Sequence, residues 1–392
     1  MTDNNIYNIT LNIYTAMKKY LSMAACLLMG LSVFTSCSDD DNSDKPHEGL
    51  KSVADGVFVL NQGSYFSQIN GSLDYYAYGT SSLTPTRNIF KSANGRSLGG
   101  TPNDAVINSK GEMYIASTDE NRVEIVDAKT LKSVAVAKIV KPRAVAYDAD
   151  AVYVSSYTGK VYKIDATSHE LVDSSAVVGT NLEGIAVANG SVYVCNSWNA
   201  DYTYNKNVVK LNTSLDKLKD ITVVTNPTKL IASGNNIFVV SQGNYNDVKP
   251  AVQQLNAATD EVMLIGEATM AAVAGDRLYM VNAPYGVKPT YSYYSLSAHT
   301  VTNWITGTEI FSPYAIGVDP ITNRVYITSL SQNPDVPGSA SYTGDGYLAV
   351  YDPTGSFMGK YDCGVCPELG TEIQIGPTGR SLLPLKVVQH SA

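Results

Sequence analysis

Few side chains in this chain suit acid–base or metal chemistry. Of four histidines, His47 and His390 lie near the ends, while His169 (Ser168-His169-Glu170) and His299 (Ala298-His299-Thr300) sit in short polar turns. Those two turns are expected on the side away from the chain's long loops, which argues against Ser-His-Asp catalysis and most histidine-based metal chemistry. Cys363-Gly364-Val365-Cys366 is a C-x-x-C, but no second pair or nearby His completes a zinc site, so a strand-end pair open to local oxidation is expected, with no metal and no cofactor. A carboxylate pair is open to Glu183, Asp201, Asp247, Glu309, Asp335 and Asp345, and nothing in their spacing selects two of them. Arg96 (Asn94-Gly95-Arg96) and Arg143 (Lys141-Pro142-Arg143) read either as surface charges or as cations for an anionic group such as phosphate. No catalytic residue is expected, and the protein is not expected to be an enzyme.

Hydrogen-bonding aromatic surface is abundant instead: 27 Tyr against 7 Phe and 2 Trp. Several long loops concentrate it. Gln62, Tyr65 and Phe66 fall in the first, Trp198, Tyr202 and Tyr204 in another, then Asn244 with Tyr245, Tyr285 with Tyr291, and Tyr342 in the longest. Such loops suit a large, amphipathic, hydrogen-bonding ligand, although Tyr and Asn also stabilise long loops for their own sake.

These loops need strands to hold them. An aromatic flanked by branched apolar residues recurs at Phe58, Tyr114, Tyr153, Tyr193, Phe238, Tyr279 and Tyr326, and Asx turns such as Asp127-Ala128, Asp165-Ala166 and Asn256-Ala257 follow. The stretch from Asp104 to Lys138 shows one complete unit of short strands with alternating apolar residues. A repeat near 40–45 residues with four short strands predicts an all-β, seven-bladed β-propeller, since one small sheet cannot bury both of its faces alone. The first unit starts at its aromatic strand and Pro367–Ile375 looks like an inner strand with nothing after it, so the ring is expected to close by pairing the two. The expected divisions are 1–36, a signal peptide; 37–54, an acidic tether; 55–376, the propeller; and 377–392, a loose tail. Loops from second to third strands and the inter-blade linkers then share one mouth, placing Arg96 and Arg143 there and His169 and His299 opposite.

The chain is globular in composition, 44% hydrophobic and 16% charged, and its net charge of -8 argues against nucleic acid. Lys18 and Lys19 precede an apolar run, Leu21 to Phe34, which reads as a secretory signal starting at Met17, too short for a comfortable membrane span. It ends in Phe34-Thr35-Ser36-Cys37, which resembles a bacterial lipobox with Phe34 in place of the usual Leu. The resemblance implies lipidation of Cys37 and attachment to the membrane through that lipid anchor only. The acidic run after it, Asp39 to Asp41, is a solvated tether and also resembles the surface-export signal of gut Gram-negative anaerobes. The implied location is the outer membrane, facing the exterior.

The strands VYVSS, VYVCN, VYITS and MYIAS, each followed by a turn like VDAKT or IDATS, resemble the YVTN-type propeller repeat of secreted and surface proteins. With Cys37, the acidic tether and the opening VFVLNQGS (Val57 to Ser64), the chain is similar to surface lipoproteins of gut Gram-negative anaerobes, some of which capture cobalamin (vitamin B12). That resemblance implies a small-molecule ligand, a corrinoid first and a glycan second, and an outer-membrane TonB-dependent transporter as partner. A scaffold that holds a protein partner is a further reading. Departures from enzymatic propellers point the same way: no His falls on the binding face as lyase-like propellers require, and Trp198 and Trp304 are too few for the per-blade Trp motif of quinone-cofactor propellers.

Overall fold

The computed structural model describes residues 56–79, 82–305 and 310–369. The expected signal peptide, Cys37, the tether and the tail lie outside the described residues, as do His47, His390 and Glu309. In chain order the elements are β1 (Gly56–Asn61), β2 (Ser72–Tyr78) and β3 (Leu83–Thr86), then the short helix α1 (Ile89–Asn94). There follow β4 (Pro102–Ile107), β5 (Glu112–Ser117), β6 (Arg122–Asp127) and β7 (Ser133–Lys138); β8 (Pro142–Asp148), β9 (Ala151–Ser156), β10 (Val161–Asp165) and β11 (Leu171–Ser174); and β12 (Asn181–Ala188), β13 (Ser191–Trp198), β14 (Tyr204–Asn212) and β15 (Lys217–Thr222). The last three blades are β16 (Pro227–Ser233), β17 (Asn236–Ser241), β18 (Ala251–Asn256) and β19 (Val262–Gly266); β20 (Met270–Ala274), β21 (Arg277–Asn282), β22 (Thr290–Ser295) and β23 (Val301–Asn303); and β24 (Ser312–Val318), β25 (Val325–Leu330), β26 (Asp345–Tyr351) and β27 (Phe357–Val365), with β28 (Pro367–Glu368) at the end.

These strands form seven four-stranded antiparallel sheets, the blades of a β-propeller. Six blades use consecutive strands, and blade 1 has the order β28-β1-β2-β3, so the expected closure holds. Leu60 pairs with Glu368 and Asn61 with Pro367. The Asn61 carboxamide oxygen accepts the Gly364 N–H at 2.9 Å, and the Tyr76 hydroxyl donates to the Asp362 carbonyl at 2.6 Å. Closure covers the inner side of β1 at Leu60 and Asn61.

Every repeated aromatic lies on the second strand of its blade and is buried. Apolar side chains alternate along these strands, and the resulting core is divided among the gaps between neighbouring blades. Tyr outnumbers Phe at these positions for a physical reason: the ring fills the gap while the hydroxyl reaches the next blade. Tyr193 donates to the Ala257 carbonyl at 3.1 Å, and Tyr326 to the Tyr78 hydroxyl at 2.7 Å. The Asx turns form as expected. Asp127 Oδ1 accepts the Lys129 and Thr130 amides, and Asp165 Oδ1 those of Thr167 and Ser168. His169 and His299 sit between third and fourth strands, bonded to Glu112 and Tyr294.

Candidate functional site

The inner strands build the site. In four blades a proline begins the inner strand, Pro102, Pro142, Pro227 and Pro367, and in blade 7 Pro313 is its second residue. Proline is tolerated because an inner strand is a sheet edge, with no further ladder to donate to. In blades 2, 3, 4, 5 and 7 the pairing with the second strand then slips, between Pro102 and Asp104, Pro142 and Val145, Leu182 and Ile185, Pro227 and Lys229, and Pro313 and Ala315. The residues left without a ladder partner include Asn103, Arg143, Glu183, Thr228 and Tyr314, and all five line the central channel. A β-bulge bends its strand and re-aims a side chain, and here bulges turn polar side chains toward the axis.

The cavity at this mouth has a volume of about 300 Å³. Gln62 and Glu368 come from blade 1, Asn103 and Asp104 from blade 2, Arg143 from blade 3, Glu183 from blade 4, Lys229 and Gln242 from blade 5, Thr269 and Met270 from blade 6, and Tyr314 from blade 7. Gly184, next to Glu183, is required for the close approach of blades 4 and 5, because a Cβ there would lie 2.6 Å from the Lys229 Cα.

A hydrogen-bonded chain runs around part of the cavity, from blade 7 through blades 1, 2 and 3 to blade 4. Tyr314 donates to Gln62 Oε1 at 2.8 Å, Gln62 Nε2 to Asn103 Oδ1 at 3.3 Å, and Asn103 Nδ2 to the Arg143 carbonyl at 2.9 Å. Arg143 Nε and Nη2 each lie 3.0 Å from Glu183 Oε2, and Nη1 donates to Thr118 Oγ1 at 3.3 Å. Burial works to lower the Arg143 pKa and the Glu183 carboxylate raises it, with a net rise. Burial pushes the Glu368 carboxyl up to about 7; Lys229 and Arg143 pull against that, and Asp104 adds to it. Burial likewise raises the Tyr314 phenol, and the charge of Glu368 adds to the rise.

An aromatic shelf leads outward from this hydrogen-bonded chain. The Arg143 guanidinium lies 4.5 Å over the Tyr157 ring, and the Tyr157 hydroxyl donates to Glu183. Tyr157 meets Trp198 edge-on at 5.5 Å, and Trp198 lies parallel to Tyr202 at 5.8 Å with 4° between the planes. Tyr204 and Tyr245 form a second pair at 5.8 Å. Tyr202 and Tyr245 are 77% and 71% exposed, so ring surface faces solvent beside a polar cavity. Burial raises the Tyr245 phenol pKa, and Tyr204 adds to it.

The expected site residues therefore divide. Gln62 and Arg143 line the cavity, and Trp198, Tyr202, Tyr204 and Tyr245 form the shelf and its neighbouring pair. Tyr65 and Phe66 touch each other edge-on at a blade 1 loop tip, and Tyr285 and Tyr342 are exposed on loops of blades 6 and 7; none of these four lines the cavity. Asn244 is used within its loop, bonding Asp247, Asn246 and Val248. Two expectations are corrected. Tyr291 is a buried core residue of β22, packed between blades 6 and 7, because it begins the alternation of a strand and not the end of a loop. Arg96 is not at this mouth: it follows α1, pairs with Glu124 of β6 at 2.6 Å and reaches Ser133 at the start of β7.

Of the carboxylate candidates, Glu183 alone lines the cavity. Asp201 and Asp247 are held in their own loops by Thr203 and Asn244, and Asp345 pairs with Arg87 at 3.3 Å. Cys363 and Cys366 are free thiols: Cys363 Sγ lies 3.1 Å from the Tyr76 hydroxyl oxygen, and Cys366 Sγ lies 3.9 Å from the Tyr342 carbonyl. Among the described residues no cluster could hold a metal ion. Sequence reasoning missed Asp104, Tyr157, Lys229, Gln242, Tyr314 and Glu368. A signal for several was present: a polar residue one or two places after the proline that opens an inner strand.

These features define a seven-bladed β-propeller whose central channel opens at one mouth into a polar cavity beside an aromatic shelf. The chain belongs to the DUF5074 family, described as a domain of unknown function, whose model matches residues 55–334. Among curated proteins no sequence matches it. Its fold is similar to a quinonprotein alcohol dehydrogenase-like protein from Bacteroides thetaiotaomicron, with TM-score 0.57 and 15% identity over 80% of this chain and 77% of that one. It is also similar to hydrazine synthase from Kuenenia stuttgartiensis, with TM-score 0.51 and 16% identity over 64% of this chain and 77% of that one. At such identities the likeness is one of fold.

Proposed function

We propose that this protein is a ligand-binding surface propeller, anchored to the outer membrane by a lipid on Cys37 and facing outward. It binds its ligand without transforming it and passes it to a TonB-dependent transporter. The observation that carries the binding reading is the juxtaposition of a half-buried Trp198 ring, parallel to the exposed Tyr202 ring, with a cavity lined by Gln62, Asn103, Arg143 and Tyr314. A large ligand with apolar faces and hydrogen-bonding edges matches that surface. A corrinoid is the leading candidate, supported by the YVTN-like repeat and the similarity to cobalamin-capturing surface propellers. A glycan is the second reading, because a parallel Trp–Tyr pair also offers a stacking platform for sugar rings.

Purified residues 38–392 mixed with cyanocobalamin and gel-filtered should elute as a red protein peak. A colourless protein peak rules out the corrinoid, and glycan-array binding by the same sample would then support the sugar reading.

A further inference from the structure

We propose that the central channel holds an oxyanion subsite whose charge is supplied by Lys229 and whose occupancy is linked to the protonation of Glu368. The cavity carries two cations with different degrees of commitment. Arg143 is engaged by Glu183, Thr118 and the Tyr157 ring. Lys229 lines the same cavity and, among the described residues, makes no hydrogen bond or ion pair; its influence is felt at Glu368, on the strand that closes the ring. A lysine ammonium carries three donors on a flexible stem and serves as a point charge for phosphate-like and carboxylate groups. Gln62 and Asn103, which also line the cavity, each use one amide hydrogen within the hydrogen-bonded chain and keep a second.

The other charged groups around the cavity are accounted for. Asp104 accepts the Val145 N–H at 2.9 Å, and Glu183 takes Arg143 and Tyr157. Tyr314 donates to Gln62, and blade 6 contributes uncharged Thr269, Met270 and Ala271. Glu368 lines the same cavity, and burial pushes its carboxyl up to about 7. An oxyanion at Lys229 adds negative charge to the cavity that Glu368 also lines, so binding favours the protonated carboxyl and takes up a proton. Above pH 7 the ionised carboxylate repels the anion, and affinity falls.

The shared ligand chemistry is a sulfate, phosphate or carboxylate, either free or pendant on a larger molecule. The test is isothermal titration calorimetry with inorganic sulfate and with glucose 6-sulfate, whose charges do not change between pH 6 and pH 8, at constant ionic strength. Wild type is expected to bind at pH 6 and more weakly at pH 8, by about tenfold for each pKa unit that the anion moves Glu368. Lys229→Met should abolish binding at both values, and Glu368→Gln should bind equally at both. Tighter binding of glucose 6-sulfate assigns the site to a pendant group, and equal binding to a free anion. No binding of either probe at pH 6, or binding by wild type and Glu368→Gln with the same loss between pH 6 and pH 8, overturns the proposal. No corrinoid enters the assay, so its outcome is independent of the corrinoid reading.

Discussion

Replacing Arg143 by methionine tests how the mouth is held together. Its side chain is 15% exposed and that of Glu183 13%, so the pair is largely withdrawn from water. Removing one partner of a buried pair costs about 3–5 kcal/mol, because the remaining charge stays desolvated. Tyr157 still donates to Glu183 in Arg143→Met, which places the expected loss near the lower end, about 3 kcal/mol. Adding Glu183→Leu removes the orphaned charge, and the double variant should return to within about 1 kcal/mol of wild type. The implied coupling energy is then at least about 2 kcal/mol. Urea denaturation reads it as a shift in midpoint at constant slope. Near-UV circular dichroism should change in the single variant, because the Arg143 guanidinium lies over the Tyr157 ring and Tyr157 packs against Trp198. A double variant as unstable as the sum of the two single variants refutes the reasoning, since the charges would then act independently.

Two further outcomes follow from the same geometry. Glu368 has a folded-state pKa near 7, above its ordinary 4.5, so the native state holds a proton that the unfolded chain releases between those values. Stability should therefore fall as pH rises from about 4.5 to about 7, by at most about 3 kcal/mol, and level off above; Glu368→Gln should flatten this window and raise the melting temperature at pH 8. Tyr193→Phe keeps the ring and removes the bond to the Ala257 carbonyl, which should cost about 1–3 kcal/mol in the same denaturation assay, with no loss of ligand binding.

The fold was legible because a propeller repeats one burial problem seven times. Each second strand needs a large side chain between blades, so Phe58, Tyr114, Tyr153, Tyr193, Phe238, Tyr279 and Tyr326 mark the blades in the sequence. The shelf was legible for a different reason: Trp198 ends β13 and Tyr202 stands in the loop after it, outside the core between blades. The channel lining was hidden because bulges break the alternation that strand reading depends on. Glu183 and Tyr314 sit where a regular inner strand would place ladder residues, and only the slipped pairing turns them to the axis. Lys229 and Glu368 come from blades 5 and 1, 139 residues apart in the chain, and line one cavity because the ring closes. Tyr291 and Arg96 failed for local reasons, a strand that begins earlier than its loop suggested and a short helix that diverts the linker before β4.

The central claim, that ligand binds on the shelf at the channel mouth, is tested most directly by equilibrium dialysis of cyanocobalamin against wild type and a Trp198→Ala, Tyr202→Ala variant. Wild type should bind, and the variant should lose at least about tenfold in affinity, the equivalent of 1.4 kcal/mol, with an unchanged melting temperature. A variant that binds as tightly as wild type, or a wild type that retains no corrinoid, contradicts it.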